Sequence, residues 1–207
     1  MPFLAFEGLD GSGKSTLING LKAELERRNI AFLITREPGG TSLGDEIRQL
    51  LLRVKGESPV PRAEALLYQA GRAQHVETVI RPALAQKKWV VSDRYDASSV
   101  AFQAGGRSIG PQEIDWLNQF STMGLKADLY VLLDLQVEES LRRLHKRPQE
   151  ADRFEREAKE FHEKVRQAYL NLARQNPECW LVLAADQSPE HLIAHLLKVL
   201  REKKWLV

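Results

Sequence analysis

Cysteine is nearly missing from this chain: Cys179 is the only one in 207 residues. No internal disulfide can form, and a reducing compartment is expected. Long apolar runs are missing too, since nothing approaches the ~18 residues of a membrane span, and the N-terminus has no basic-then-apolar leader. Nor is there an excess of one charge. Lys and Arg total 30 against 28 Asp and Glu, a net charge of +2, too even for a protein that coats nucleic acid. Repeats, low-complexity tracts and Gly/Ser linkers are absent. What remains, 43% hydrophobic and 28% charged residues, is ordinary globular composition. The expectation is one soluble, cytoplasmic domain over residues 1–207, large enough to bury roughly 70% of its unfolded surface without metal or disulfide.

Short apolar runs alternate with longer amphipathic stretches. The runs Phe3–Glu7, Ile30–Thr35, Trp89–Ser92, Leu129–Leu135 and Trp180–Ala184 read as strands buried on both faces of a parallel sheet. Between them, Leu17, Leu21 and Leu25 recur every four residues. Ile193, Leu196, Leu197 and Leu200 keep helical spacing after Ser188-Pro189, an N-cap and first-turn pair. This order predicts an α/β fold, a five-stranded parallel sheet with helices on both faces. Ligands in such sheets sit at the carboxyl ends of the strands.

After the first strand comes Gly8-Leu9-Asp10-Gly11-Ser12-Gly13-Lys14-Ser15-Thr16, a P-loop. Its backbone N–H groups and the helix N-terminus that follows would wrap the phosphates of a nucleoside triphosphate. Lys14 would neutralise β/γ oxygens and the Ser15 hydroxyl would hold Mg²⁺. The second strand leads into Arg36-Glu37-Pro38-Gly39-Gly40, a rigid turn at the ligand edge. The third ends in Asp93-Arg94-Tyr95, a carboxylate placed for Mg²⁺ and a guanidinium able to grip phosphate. Asp134 ends the fourth strand with the same signature; Asp93 is preferred because Arg94 beside it calls for an anion.

Tyr68 and Arg72 lie four residues apart and so share a helix face, an arrangement that suits a base as well as it suits plain core and surface. Ser98, Ser99, Phe102 and Gln103 follow the Asp-Arg-Tyr turn. Four of the six residues from Arg142 to Arg147 are basic, and Pro148 then breaks the helix. The segment of about 142–154 is therefore expected to form a mobile basic lid. A GTPase switch would want Asn-Lys-x-Asp, and none of the five Asn residues precedes Lys.

Together, the P-loop Gly8–Thr16, Arg36–Gly40, Tyr68 with Arg72, Asp93-Arg94-Tyr95, Ser98–Gln103 and Asp152-Arg153 resemble thymidylate kinase along nearly the whole chain. The resemblance implies transfer of the γ-phosphoryl of ATP to dTMP with Mg²⁺, in a homodimer, with neither nucleic acid nor membrane as partner. It implies that Gly8, Asp10, Gly11, Ser12, Gly13, Lys14, Ser15 and Thr16 form the ATP site, with Ser15 and Asp93 at the metal. Asp10 would hold the dTMP 3′-hydroxyl, and Arg36 and Arg94 its phosphate. Tyr68 would stack on thymine, Arg72 would reach its O4, and Ser98, Ser99, Phe102 and Gln103 would line the nucleoside pocket. Phe102 stands where a tyrosine is common and Tyr68 where a phenylalanine is. Some members carry an arginine within the P-loop, where this chain has Gly11. Charge compensation is then expected from the lid, through Arg147 and Arg153, alongside Lys14 and Arg94.

Overall fold

The structure, a computed structural model, describes residues 1–146, 148 and 150–206. Strand β1 (Phe3–Glu7) leads into helix α1 (Lys14–Arg27), and β2 (Phe32–Arg36) into α2 (Ser42–Leu52) and α3 (Pro61–His75). A π-helical turn, Val76–Ile80, joins α3 to α4 (Arg81–Ala85), after which β3 (Trp89–Asp93) enters the sheet. Next come α5 (Asp96–Ser99), a second π-helical segment (Val100–Gly106) and α6 (Pro111–Thr122). The chain finishes with β4 (Leu129–Asp134), α7 (Val137–His145), α8 (Lys159–Gln175), β5 (Trp180–Ala184) and α9 (Pro189–Glu202).

All five strands are parallel, in the order β2-β3-β1-β4-β5, so the fold class is the expected one. Alternation along the strands splits the core into two layers. Phe3, Ala5, Val90 and Leu132 face a cluster with Val76, Ile80, Phe161, Val165 and Tyr169. Leu4, Phe6, Val91 and Val131 face Leu17, Leu21 and Leu25 of α1 and Leu192, Leu196 and Leu200 of α9. Ser188 caps α9 by accepting the His191 N–H at 3.3 Å, which fixes the register of that apolar stripe.

Two strand limits differ usefully from the sequence reading. Asn29 takes a left-handed turn (φ 55°), so β2 starts two residues late and carries Arg36 as its last residue. Arg36 then pairs in register with Asp93, and Asp93 itself lies within β3. Both side chains are therefore set by the sheet rather than by a loop. Among the described residues no helix is long and apolar enough to cross a membrane.

Candidate active site

At the carboxyl edge of β1 the chain turns sharply. Gly8 has φ +134°, and a Cβ there would meet the Leu133 carbonyl oxygen at 2.5 Å, so only glycine passes this close to β4. Gly13, at φ +96°, then opens α1. Lys14 is 7% exposed, and its Nζ donates to Gly8 O (3.2 Å) and Leu9 O (3.1 Å) across the mouth of the loop. Burial pushes its pKa down with help from Arg94, against Asp93, Asp10 and Glu7. Gly11, Gly13, Lys14, Ser15 and Thr16 line a cavity of about 970 Å³, together with Asp10, Arg36, Arg48, Asp93, Arg94 and Arg143. Gly8 shapes the turn behind that lining, and Ser12 is buried with its Oγ unpartnered among the described residues.

Asp93 carries a buried Oδ1 with no hydrogen-bond partner among the described residues. Asp134, its competitor, gives both oxygens to Arg166, at 2.7 and 3.0 Å. No described group of three His, Cys, Asp or Glu could hold a metal unaided. One carboxylate and the exposed Ser15 hydroxyl on the same cavity suit Mg²⁺, which takes most of its ligands from phosphate and water.

Arg94 sits at the centre. Its backbone is left-handed (φ 72°), a costly state for a non-glycine that holds only where surroundings fix it. The backbone N–H donates to Phe6 O at 2.9 Å, and Ser92 Oγ donates to Arg94 O at 2.7 Å. Its guanidinium donates to Asp10 (2.8 Å) and Tyr169 Oη (3.1 Å) and lies 5.0 Å above the Phe102 ring. Glu7 lies 4.0 Å away beneath it, accepting from Ser98 (2.6 Å) and Tyr169 (2.7 Å). Burial raises the Glu7 pKa, and Arg94 and these donors offset only part of that. Burial pushes Glu37 upward as well, yet Arg72 at 2.7 Å and His75 at 3.0 Å outweigh it and hold that carboxyl low.

A smaller cavity, about 60 Å³, opens beside the first and is lined by Tyr68, Arg72, Ser98, Phe102, Gln103 and Phe154, among others. Asp10, Glu37, Arg48, Arg94 and Asp152 line both cavities, so the two meet there. Pockets that hold small ligands usually measure about 300–1,000 Å³. The smaller one is therefore narrow, and one of its walls is Phe154, whose ring stands edge-on to Tyr68 at 6.1 Å and Phe102 at 5.8 Å.

Several expected side chains take other places. Ser99 does not line the cavity; it is 1% exposed and accepts from Arg72 Nη1 at 2.8 Å. Arg72 lines it, but Nε goes to Glu37, Nη1 to Gln69, Ser99 and Asn118, and Nη2 to Tyr95 O. With five N–H donors in a guanidinium, one Nη2 hydrogen has no partner among the described residues. Arg153 does not line the larger cavity. Its Nη2 donates to the buried Glu64 at 2.7 Å and its Nε to Leu51 O at 2.9 Å, because Glu64 would otherwise be a desolvated charge short of partners. Arg147 lies outside the described residues.

Two contributors, Arg48 and Phe154, were missed, and Arg143 was expected only as part of the basic lid. Arg48, on both cavities, donates to Pro38 O at 3.0 Å. Arg143, in the last turn of α7, donates to Gly11 O at 3.3 Å and Ala185 O at 3.1 Å, so it borders the P-loop. Phe154 lay inside a run read only for charge; the Asp152-Arg153 step before it was the available signal.

A family model described as thymidylate kinase matches residues 6–195. A thymidylate kinase of Bdellovibrio bacteriovorus is 56% identical over 100% of this chain and 98% of its own. That of Clavibacter sepedonicus is 47% identical over 94% and 92%, and that of Pelobacter propionicus 41% over 95% and 94%.

Proposed function

The chain belongs to the thymidylate kinase family, and on that premise we propose how its residues transfer the γ-phosphoryl of ATP to dTMP, giving ADP and dTDP. The observation that carries the reading is the junction of the two cavities at Asp10, Arg94, Arg48 and Glu37. One cavity is a P-loop cradle and the other an aromatic-walled slot, so donor phosphate and acceptor phosphate would meet in line between them. Positioning and charge neutralisation supply catalysis of this kind, with no protein nucleophile.

Lys14 and the loop amides take the ATP phosphates. Mg²⁺, held by Ser15 with Asp93 behind it, would neutralise developing charge when bound. Arg36 and Arg94 face the larger cavity and clamp the dTMP phosphate. Asp10 is neutralised by Arg94, which lets a carboxylate lie between two phosphates and reach the 3′-hydroxyl. Tyr68 offers a stacking face, Phe102 fills the space at the sugar, and Arg72 and Gln103 read the base edge.

Segment 142–154 acts as the lid, and dTMP enters as Phe154 withdraws, since about 60 Å³ admits no nucleoside. Arg153 reaches transferring phosphate only by leaving Glu64. We therefore assign charge compensation first to Arg94, Arg48 and Arg143. The lone Cys179, half-buried and free, fits a reducing cytoplasm, and the second copy in a homodimer would cover the apolar face of α3 and α6.

A panel of nucleoside monophosphates with Mg·ATP tests the reading. dTMP is expected to give the highest kcat/KM, with dUMP next. Preference for a purine monophosphate would overturn it.

A further inference from the structure

Glu64 is fully buried on α3, in the first turn, where the chain could as easily have kept it in water. Its carboxylate collects three donors from separate elements. Gln103 Nε2 donates at 2.9 Å from the second π-helical segment, Arg107 Nε at 3.2 Å from just beyond it, and Arg153 Nη2 at 2.7 Å from the lid. A carboxylate in this state only accepts. The Gln103 side chain, 1% exposed, must turn its NH₂ toward Glu64, because its oxygen would face two others. This orientation follows from chemistry rather than from the assignment of amide atoms. The carbonyl oxygen is thereby left for the smaller cavity that Gln103 lines, and no described residue donates to it.

The same cavity is lined by donors, among them Arg72, whose second Nη2 hydrogen is not used by Tyr95 O. That donor, paired with the Gln103 acceptor, matches an imide edge, a ring carbonyl next to a ring N–H. The pair mismatches an amidine edge, which offers an amino donor next to a bare ring nitrogen. Rejection of the wrong edge is large when buried polar groups would be left unpaired.

We propose that Glu64 is a positioning residue that fixes the Gln103 amide in the orientation selecting imide pyrimidines, and that it ties this choice to the lid through Arg153. The proposal rests on the reading of the smaller cavity as the nucleoside site. It adds the group that imposes the base choice and touches no substrate itself. The lid enters because Phe154, next to Arg153, forms a wall of the same cavity and carries the Arg153 guanidinium 4.4 Å from its ring.

The test is the set of dissociation constants of dTMP, dUMP and dCMP for wild type, Glu64→Gln and Glu64→Asp. Glu64→Gln removes the charge and frees the amide to present either end. Glu64→Asp keeps the charge against Arg107 and Arg153 but draws it back from Gln103, and it carries the test should the first variant fail to fold. Binding of dTMP and dUMP is expected to weaken by about tenfold or more relative to dCMP, with ATP binding unchanged and the dTMP:dUMP ratio kept. A purely structural role would weaken all three pyrimidines equally, and an unchanged dTMP:dCMP ratio in the folded variants overturns the proposal. Wild-type turnover of dTMP is scored separately, so failure of the kinase reading is distinguishable from failure of this one.

Discussion

At the residue scale, burial decides what a mutation reports. Arg36 is 57% exposed, with Asp45 at 3.1 Å beside it, while Arg72 is 1% exposed and bound to Glu37. Arg36→Ala should leave Tm nearly unchanged and raise the KM for dTMP, since an exposed ion pair contributes about 0–1 kcal/mol to stability. Arg72→Ala instead leaves the buried Glu37 with His75 alone, a loss of about 3–5 kcal/mol, and should lower Tm by about 10 °C. Thermal melts beside steady-state kinetics separate them; equal melting temperatures would mean that Glu37 is protonated rather than paired. Lys14→Ala is a third case. Among the described residues its ammonium bonds only to loop carbonyls and a 3.8 Å carboxylate, so the fold should survive while phosphoryl transfer nearly vanishes. A variant keeping a tenth of wild-type turnover would show that Lys14 does not serve the phosphates.

At the element scale the lid divides into two ends with different tasks. Arg143, at the end of α7, reaches Gly11 and Ala185 beside the larger cavity, whereas Arg153 is anchored at Glu64 beside the smaller one. Arg143→Ala should lower kcat and raise the KM for ATP several-fold, with that for dTMP little changed. Arg153→Ala should act on dTMP, because it loosens the wall that Phe154 provides. If Arg153→Ala instead lowers kcat about a hundredfold at constant KM, the arginine leaves Glu64 in the transition state and compensates charge there. The sequence carried the strands well, since runs such as Leu129–Leu135 have one buried reading, the strand itself ending at Asp134. Arg36, Arg94, Lys14 and Gln103, which line the two cavities, were legible from their position after a strand. The π-helical segment at Val100–Gly106 had no signal in the sequence; it packs closely on α8, where a Cβ on Gly106 would meet the Phe161 ring at 2.4 Å. Arg48 and Glu64 were unreadable for a related reason. A polar residue on an amphipathic helix looks solvated until another element covers it.

At the scale of the whole molecule, one surface is out of keeping with a chain whose charge is nearly balanced. Trp116 and Phe120, four apart on α6, stack at 5.6 Å and are 64% and 66% exposed. Met123 at the end of that helix is 72% exposed, and Leu66 on the neighbouring α3 is 57% exposed. Scattered exposed apolar residues are normal, but a contiguous aromatic-rich patch on packed helices usually marks an interface. A second copy suits it best, since a two-fold contact lets one self-complementary apolar patch cover itself. The same α3 that offers Leu66 outward turns Glu64, Gln69, Arg72 and His75 inward, so a dimer would also stiffen the α3 wall of the smaller cavity. Light scattering is expected to give twice the 23.5 kDa chain mass for the wild type and the single-chain mass for Trp116→Arg with Phe120→Arg. Because both rings are largely exposed in one chain, that variant should keep its fold, and its KM for dTMP should rise as α3 loosens. A wild type that stays monomeric at all concentrations would leave this face to another partner.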